Sequence, residues 1–314
     1  MINCLNLSRQ GCEELIVSGL LGEPLRVIGL RSRFVASTGK PAPESEAVRL
    51  TDQFGPRGEL LEPGDLVPER VGTVLSIRGE AVGVEAPVSA RVQVGTFNWR
   101  ATVWHPRRWV MQSGQWCAER AGPFQPVKLA FASAFGGPSF PDNPLGMGHI
   151  GSGEHPEGIA LPLIEQVGLP VHSPWQRLEP VALDYIPPEW PARRRFSGTF
   201  DAAWARKQAP RLPDDFDPRF WDAGTLVTYP RLRGGEELLT ENIGCLGVAR
   251  WRVPRNVVRV TIEGRTYLPE VDQLILDVAG DRLTLCSRLS LPVDTPLSRL
   301  PLAIARVLEE RWQA

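Results

Sequence analysis

Two short runs, Ala90 to Val94 and Phe97 to Val103, constrain this chain more than any other stretch. Apolar and polar residues alternate in each, and the parity changes across Gly95-Thr96. A period of two puts one set of side chains on each face of a strand. A Gly-X pair between two such runs predicts a two-residue hairpin with a type II′ turn, whose first position needs positive φ. A chain built on such a hairpin is committed to antiparallel sheet.

Other segments repeat the pattern. Leu25 to Phe34 is apolar and β-prone, and Arg31 and Arg33 alternate at its end as on a half-exposed strand. Thr73 to Val82 places Leu75, Ile77, Gly79 and Ala81 on one face. Leu226 to Tyr229 and Glu237 to Thr240 flank the turn-prone Gly234-Gly235, and Val257 to Ile262 alternates before a turn at Glu263-Gly264. Leu274, Leu276 and Val278 are answered by Leu283 and Leu285 across Ala279-Gly280-Asp281, which predicts a second hairpin. Thirty Gly and 30 Pro favour turns and short strands over long helices. Only the C-terminus carries a helical period, with Leu300, Ile304, Val307, Leu308 and Trp312 at three- and four-residue steps and Ser298 as N-cap. The expected fold is mainly β (β-rich α+β): antiparallel sheets packed as one or two sandwich-like units, long central loops and a C-terminal helix. Residues 1–314 read as a single domain with an N-terminal β part (1–122), a loop-rich middle (123–222) and a C-terminal β part plus helix (223–314).

Charge and cysteine usage narrow the function classes. A net charge of −1 argues against a nucleic-acid surface built on bulk positive charge. The five cysteines are odd in number and scattered without a CxxC pair, which fits neither a disulfide framework nor a zinc cage and suits a reducing cytoplasm. No apolar run approaches the roughly 18 residues of a membrane helix, and Met1-Ile2-Asn3-Cys4-Leu5 lacks the basic start of a signal peptide.

The middle of the chain loses all period. Ala134 to Gly153 is loop-like, and its glycines have no strand-then-helix context for a dinucleotide fingerprint, so they read as positive-φ turn positions. Val171 to Pro191 reads as a long Pro-rich connection crossing the surface. Then Arg193-Arg194-Arg195-Phe196-Ser197-Gly198-Thr199-Phe200-Asp201-Ala202-Ala203-Trp204, running on to Pro213-Asp214-Asp215-Phe216-Asp217, packs cations, aromatics, acids and prolines together. Its acids have the spacing of turn and capping residues. Trp99, Trp104, Trp109 and Trp116, interleaved with Arg100, Arg107 and Arg108, read either as a stacking platform or as core filler at sheet edges.

The constellations of an enzyme are missing: no GxSxG elbow, no P-loop and no HExxH. Asp214, Asp215 and Asp217 are neighbours, but nothing in their spacing makes two of them converge on a cleft. A non-catalytic protein without cofactor or metal is the expectation. Two alternatives stand beside it. One is a carbohydrate-binding module or glycan hydrolase using the ten tryptophans and the acidic cluster, and the other a metal-dependent hydrolase at His149 and His155, near Glu154.

Several segments resemble one family: Pro123-Phe124, Ala134-Phe135-Gly136-Gly137, Asn143-Pro144-Leu145-Gly146-Met147-Gly148, Leu161-Pro162, Arg195, Gly198-Thr199-Phe200-Asp201 with Trp204, Pro210 to Asp217 with Phe220, Gly234-Gly235-Glu236, Leu276-Asp277 and the Val103 to Trp109 strand end. The set is similar to domain-of-unknown-function family 2169, from bacterial type VI secretion gene clusters, over roughly Leu25 to Arg288. The resemblance implies a cytoplasmic adaptor or chaperone that loads a secreted effector or a spike-tip protein, with a protein partner, no nucleic acid and no membrane. On this reading, the loops at 134–153 and 190–222 form one contact surface. Phe135, Gly136, Gly137, Asn143, Pro144, Arg195, Thr199, Trp204, Asp215 and Phe216 are its candidate partner-binding residues.

Overall fold

The structure, a computed structural model, describes residues 10–44, 46–255, 258–262, 265–293 and the backbone of 306–309. It is β-rich, with several antiparallel sheets. The hairpin expected at Gly95-Thr96 is present: Val88–Val94 pairs antiparallel with Phe97–Val103, Val94 faces Phe97, and Gly95 takes φ 55°. These two strands sit inside a five-stranded sheet. Ile164–Gln166 lies beyond Phe97–Val103, and Glu237–Glu241 and then Val248–Arg252 lie beyond Val88–Val94.

The second expected hairpin belongs to a six-stranded sheet. Glu270–Asp277 turns through Val278 to Asp281 into Arg282–Pro292, with Asp277 opposite Arg282. Pro24–Val35 and Gly11–Ser18 extend this sheet on one side, and Thr73–Arg78 and Leu226–Thr228 on the other. All neighbours are antiparallel except Glu270–Asp277 and Thr73–Arg78, which run parallel. Both sheets therefore interleave strands from the start and the end of the chain.

One buried cluster draws side chains from both sheets. Phe34, Leu75, Ile77, Leu274, Leu276, Leu283 and Leu285 come from the six-stranded sheet, and Val92, Val94, Ala101, Val103 and Leu238 from the five-stranded one. The alternation dictates this directly, because the residues between them in sequence point the other way. Further along the same face, Ile28 and Leu30 pack on Val258, Val260 and Ile262.

The other face of the six-stranded sheet corrects the half-exposed strand expected at Arg31 and Arg33. Arg31 has no exposed surface and Arg33 is largely covered. The connection through Glu46, Glu62 and Asp65 folds over this face and supplies carboxylates to it. An alternating Arg thus marks a buried ion-pair layer here, not solvent.

Among the described residues helix is confined to short turns, Pro191–Arg194 and Ala202–Lys207 being the α-helical ones. The helix expected from Ser298 to Trp312 lies mostly outside the described residues. Its described part, Arg306–Glu309, is instead a strand paired antiparallel with Val258–Ile262. The turn expected at Glu263-Gly264 also lies outside the described residues, between two strands that do pair, Val258–Ile262 and Arg265–Tyr267. Val171 to Pro191 does not simply cross the surface: Ala182, Leu183, Tyr185 and Trp190 are buried.

Candidate functional site

The first candidate loop is organised by Asn143. Its side chain is fully buried, and Nδ2 donates to the carbonyls of Phe131 (2.8 Å) and Phe135 (3.0 Å). Its backbone carbonyl accepts from Gly137 N–H at 3.0 Å. Phe135–Gly136 pairs with Met147–Gly148, closing the loop on itself. The turn reading of the glycines holds for Gly148 (φ 91°) and Gly153 (φ 83°). Gly136 and Gly146 serve another purpose: a Cβ on either would collide with Asn143. They are present so that backbone and amide can approach closely. Phe135, Gly136, Gly137 and Asn143 are accordingly buried within the loop, and Pro144 is half-buried.

The second loop presents its residues outward. Arg193 is the post that fixes it: Nε donates to the Phe220 carbonyl (2.7 Å), Nη1 donates to the Ile186 carbonyl (3.1 Å), and the guanidinium lies 4.8 Å from the Phe220 ring centre. Gly198 takes φ 75°, and a Cβ there would press on Asp215, Pro213 and Phe216. Asp215 accepts from Thr199 at both N–H (2.9 Å) and hydroxyl (2.7 Å), and these bonds from Thr199 hold its carboxyl below the usual range. Asp201 caps Ala202–Lys207 by accepting from Trp204 N–H at 2.7 Å, and Asp217 caps the turn Pro218–Trp221. The acids therefore act as turn and capping residues, as their spacing suggests.

Around this frame the aromatics form separate, partly exposed groups. The Phe196 ring lies between two guanidiniums, Arg195 at 4.7 Å and Arg219 at 4.6 Å. Phe200, 54% exposed, packs edge-on against Trp204 at 4.7 Å, and Trp204 Nε1 donates to the Arg211 carbonyl. Phe216 packs on Trp221 and Phe220 beneath. Thr199 and Asp215 are thus brought together, as are Phe135, Gly136 and Asn143. The two loops meet at their bases, where Phe131 stacks edge-on with Trp190 at 4.8 Å and Leu145 joins the same cluster. Sequence reasoning did not single out Arg193 or Phe196, because their partners are carbonyls and a guanidinium contributed by the Phe220 turn.

His149 packs against Phe135 and Phe140, whereas His155 lies edge-on to Trp116. Among the described residues no three His, Cys, Asp or Glu are grouped to hold a metal. Three of the tryptophans have separate local settings. Trp109 is buried, Trp99 packs on the main core, and Trp104 lies under Arg107, which is itself buried against Glu165 at 2.6 Å. The three carboxylates are engaged locally, Asp214 with Gln208, Asp215 with Thr199 and Asp217 with Arg219.

A cavity of about 390 Å³ opens beside the six-stranded sheet, lined by Arg70, Arg231, Arg288, Asp272, Glu23 and Glu69 among others. Two of its arginines are ion-paired, Arg288 with Asp272 at 3.0 Å and Arg231 with Glu270, while Arg288 Nε is buried without a hydrogen-bond partner. Elsewhere burial pushes the Asp184 carboxyl up to about 6, although it accepts from the Tyr185 and Phe131 N–H groups.

A family model described as "Uncharacterized protein conserved in bacteria (DUF2169)" matches residues 22–288. The chain belongs to this family. Neither a curated protein nor a solved structure matches it. Among the described residues, no helix is long and apolar enough to cross a membrane.

Proposed function

We propose that the protein is a non-catalytic, cytoplasmic adaptor or chaperone that holds a type VI secretion effector or spike-tip protein and loads it for export. In this reading the two sheets, joined by one core, act as a sandwich-like scaffold that positions the loops. The observation that carries the proposal is two aromatic groups on this loop: half-buried Phe196 between the exposed Arg195 and Arg219, and exposed Phe200 against half-buried Trp204. Each of these is fixed by hydrogen bonds or ring contacts within its own loop. Aromatic and Arg side chains on a pre-organised frame are what interface hot spots are made of, since little ordering entropy remains to be lost on binding. Capture of a marginally stable partner would stabilise it by mass action alone. The secretion assignment itself comes from the segments that resemble the family.

The test is co-purification of the tagged full chain from a host expressing the neighbouring secretion genes. Recovery of an effector or spike-tip protein in near-equal amount is the expected result. A partnerless protein from cells that make those components would overturn the proposal.

A further inference from the structure

We infer that the outward face of the five-stranded sheet is a second docking surface, fitted to an acidic face of a protein partner. This inference rests on the adaptor reading but uses a surface separate from the Phe196 loop.

The alternation that sends Val92, Ala101, Leu238 and Trp251 into the core sends Arg91, Arg100, Arg250 and Arg252 outward, each of them exposed or half-buried. Glu237 and Glu241 are the open acids on this face, and the buried Glu165 opposite Thr102 is neutralised by Arg107, so four open arginines against two open glutamates leave it at +2 in a chain whose net charge is −1. Glu237 is already paired with Arg250 at 3.1 Å. Neither Arg100 nor Arg252 makes an ion pair among the described residues. Positive charge is therefore concentrated where the average would not put it.

Arg91 and Arg100 lie directly opposite one another on adjacent strands. Like charges in that position destabilise a sheet. The Arg91 guanidinium is held by the neutral side chains of Asn98 (3.0 Å) and Gln93. Glu241 lies opposite Arg91 on its other side, so Arg100 is the member of this pair with no carboxylate facing it among the described strands, and an external carboxylate would supply one. Leu239, opposite Arg250, and the exposed Val248, opposite Glu241, add apolar surface beside these arginines.

Two other occupants fit less well. Nucleic acid on a sheet face is held by stacking on aromatic rings, and here Trp99 and Trp251 turn inward while Trp104 is covered by Arg107. A second copy would set one +2 face against another.

The test compares the full chain with an Arg100→Glu/Arg252→Glu variant. The probes are the purified spike-tip and effector proteins encoded in the same gene cluster, titrated from about 50 to about 500 mM salt. The expected result is binding by the wild-type chain that weakens with salt and falls at least about tenfold in the variant, mainly through the association rate. In the single Arg100→Glu variant the unfolding midpoint should rise at the same time, because Glu at 100 faces Arg91 across the strands, whereas Glu at 252 would face Glu237. Stability and binding moving in opposite directions is a signature that a structural role for Arg100 would not produce. A partner bound equally well by both forms would overturn the docking face and leave the adaptor reading standing. Binding of a single-stranded oligonucleotide, but of no protein, through these arginines would also overturn it. A wild-type chain that binds none of the probes would remove both proposals.

Discussion

Arg31, with no side-chain exposure, donates from Nε to Oδ2 of Asp65 at 2.7 Å, and its Nη2 reaches Oδ1 of the same carboxylate at 3.1 Å. This fork is the centre of the ion-pair layer under the six-stranded sheet, because the same guanidinium also meets Glu46 (2.9 Å) and Glu62 (2.5 Å). Glu46 keeps Arg33, and Glu62 keeps Arg49 and Arg78, if Arg31 is removed. Asp65 would keep only the Arg49 backbone N–H.

Arg31→Met should therefore strand a buried carboxylate and cost roughly 3–5 kcal/mol, the range for breaking a buried pair by losing one partner. Arg31→Lys should recover only part of this, since an ammonium cannot supply the bidentate fork. Urea unfolding of the three proteins decides the matter. An Arg31→Met chain within about 1 kcal/mol of wild type would mean that the layer is not the constraint described here.

Asn143→Asp removes two donors at nearly constant volume. Carboxylate oxygens would then face the Phe131 and Phe135 carbonyls, which would be left unpaired in the interior. The expected loss is roughly 1–3 kcal/mol for each acceptor so stranded. Gly136→Ala should destabilise the same loop by collision with the Asn143 carbonyl. Thermal unfolding and protease sensitivity across 134–149 provide the measurement, and an unchanged cleavage pattern in both variants would contradict the account.

How much of this was legible follows the range of the interactions. The two hairpins were, because a period of two and a Gly at the turn are local signals that the sheet merely reads out. The capping roles of Asp201 and Asp217 were legible for the same reason. The burial of Arg31 was not, since what covers it comes from a patternless connection through Glu46 and Asp65. Val307 and Leu308 suit a helix or a strand equally over so short a span, and pairing with Val258–Ile262 makes Arg306–Glu309 extended. Asn143 and Gly136 were visible as a motif, but their inward role depends on Phe131 and is not visible in the spacing. The Phe196 stack needs Arg219, which only the folded loop brings over the ring.

Phe196→Ala tests whether that stack is a contact surface or a local brace. The ring is flanked by exposed guanidiniums, so its removal should move the unfolding midpoint little while abolishing partner capture in the co-purification. Arg195→Ala should weaken capture in the same direction. Full capture by a well-folded Phe196→Ala chain would assign the ring to bracing the loop alone.

Asp184 gives the chain a pH dependence of defined sign. Its carboxyl is raised from 3.8 to about 6 by burial, which outweighs the N–H groups of Tyr185 and Phe131 that favour the ionised form. Between those values the folded state holds a proton that the unfolded chain has lost, so this residue makes stability fall as pH rises. The slope is about 1.4 kcal/mol per pH unit, on the order of 2–3 kcal/mol in all. Asp184→Asn cannot ionise and should be free of this loss, while keeping one carbonyl oxygen for the Tyr185 N–H. The difference in unfolding free energy between variant and wild type should therefore shift in favour of the variant between about pH 4 and about pH 7, then level off. A difference that stays constant over that window would show that Asp184 is ionised in the folded chain at acid pH, and the burial argument would fail.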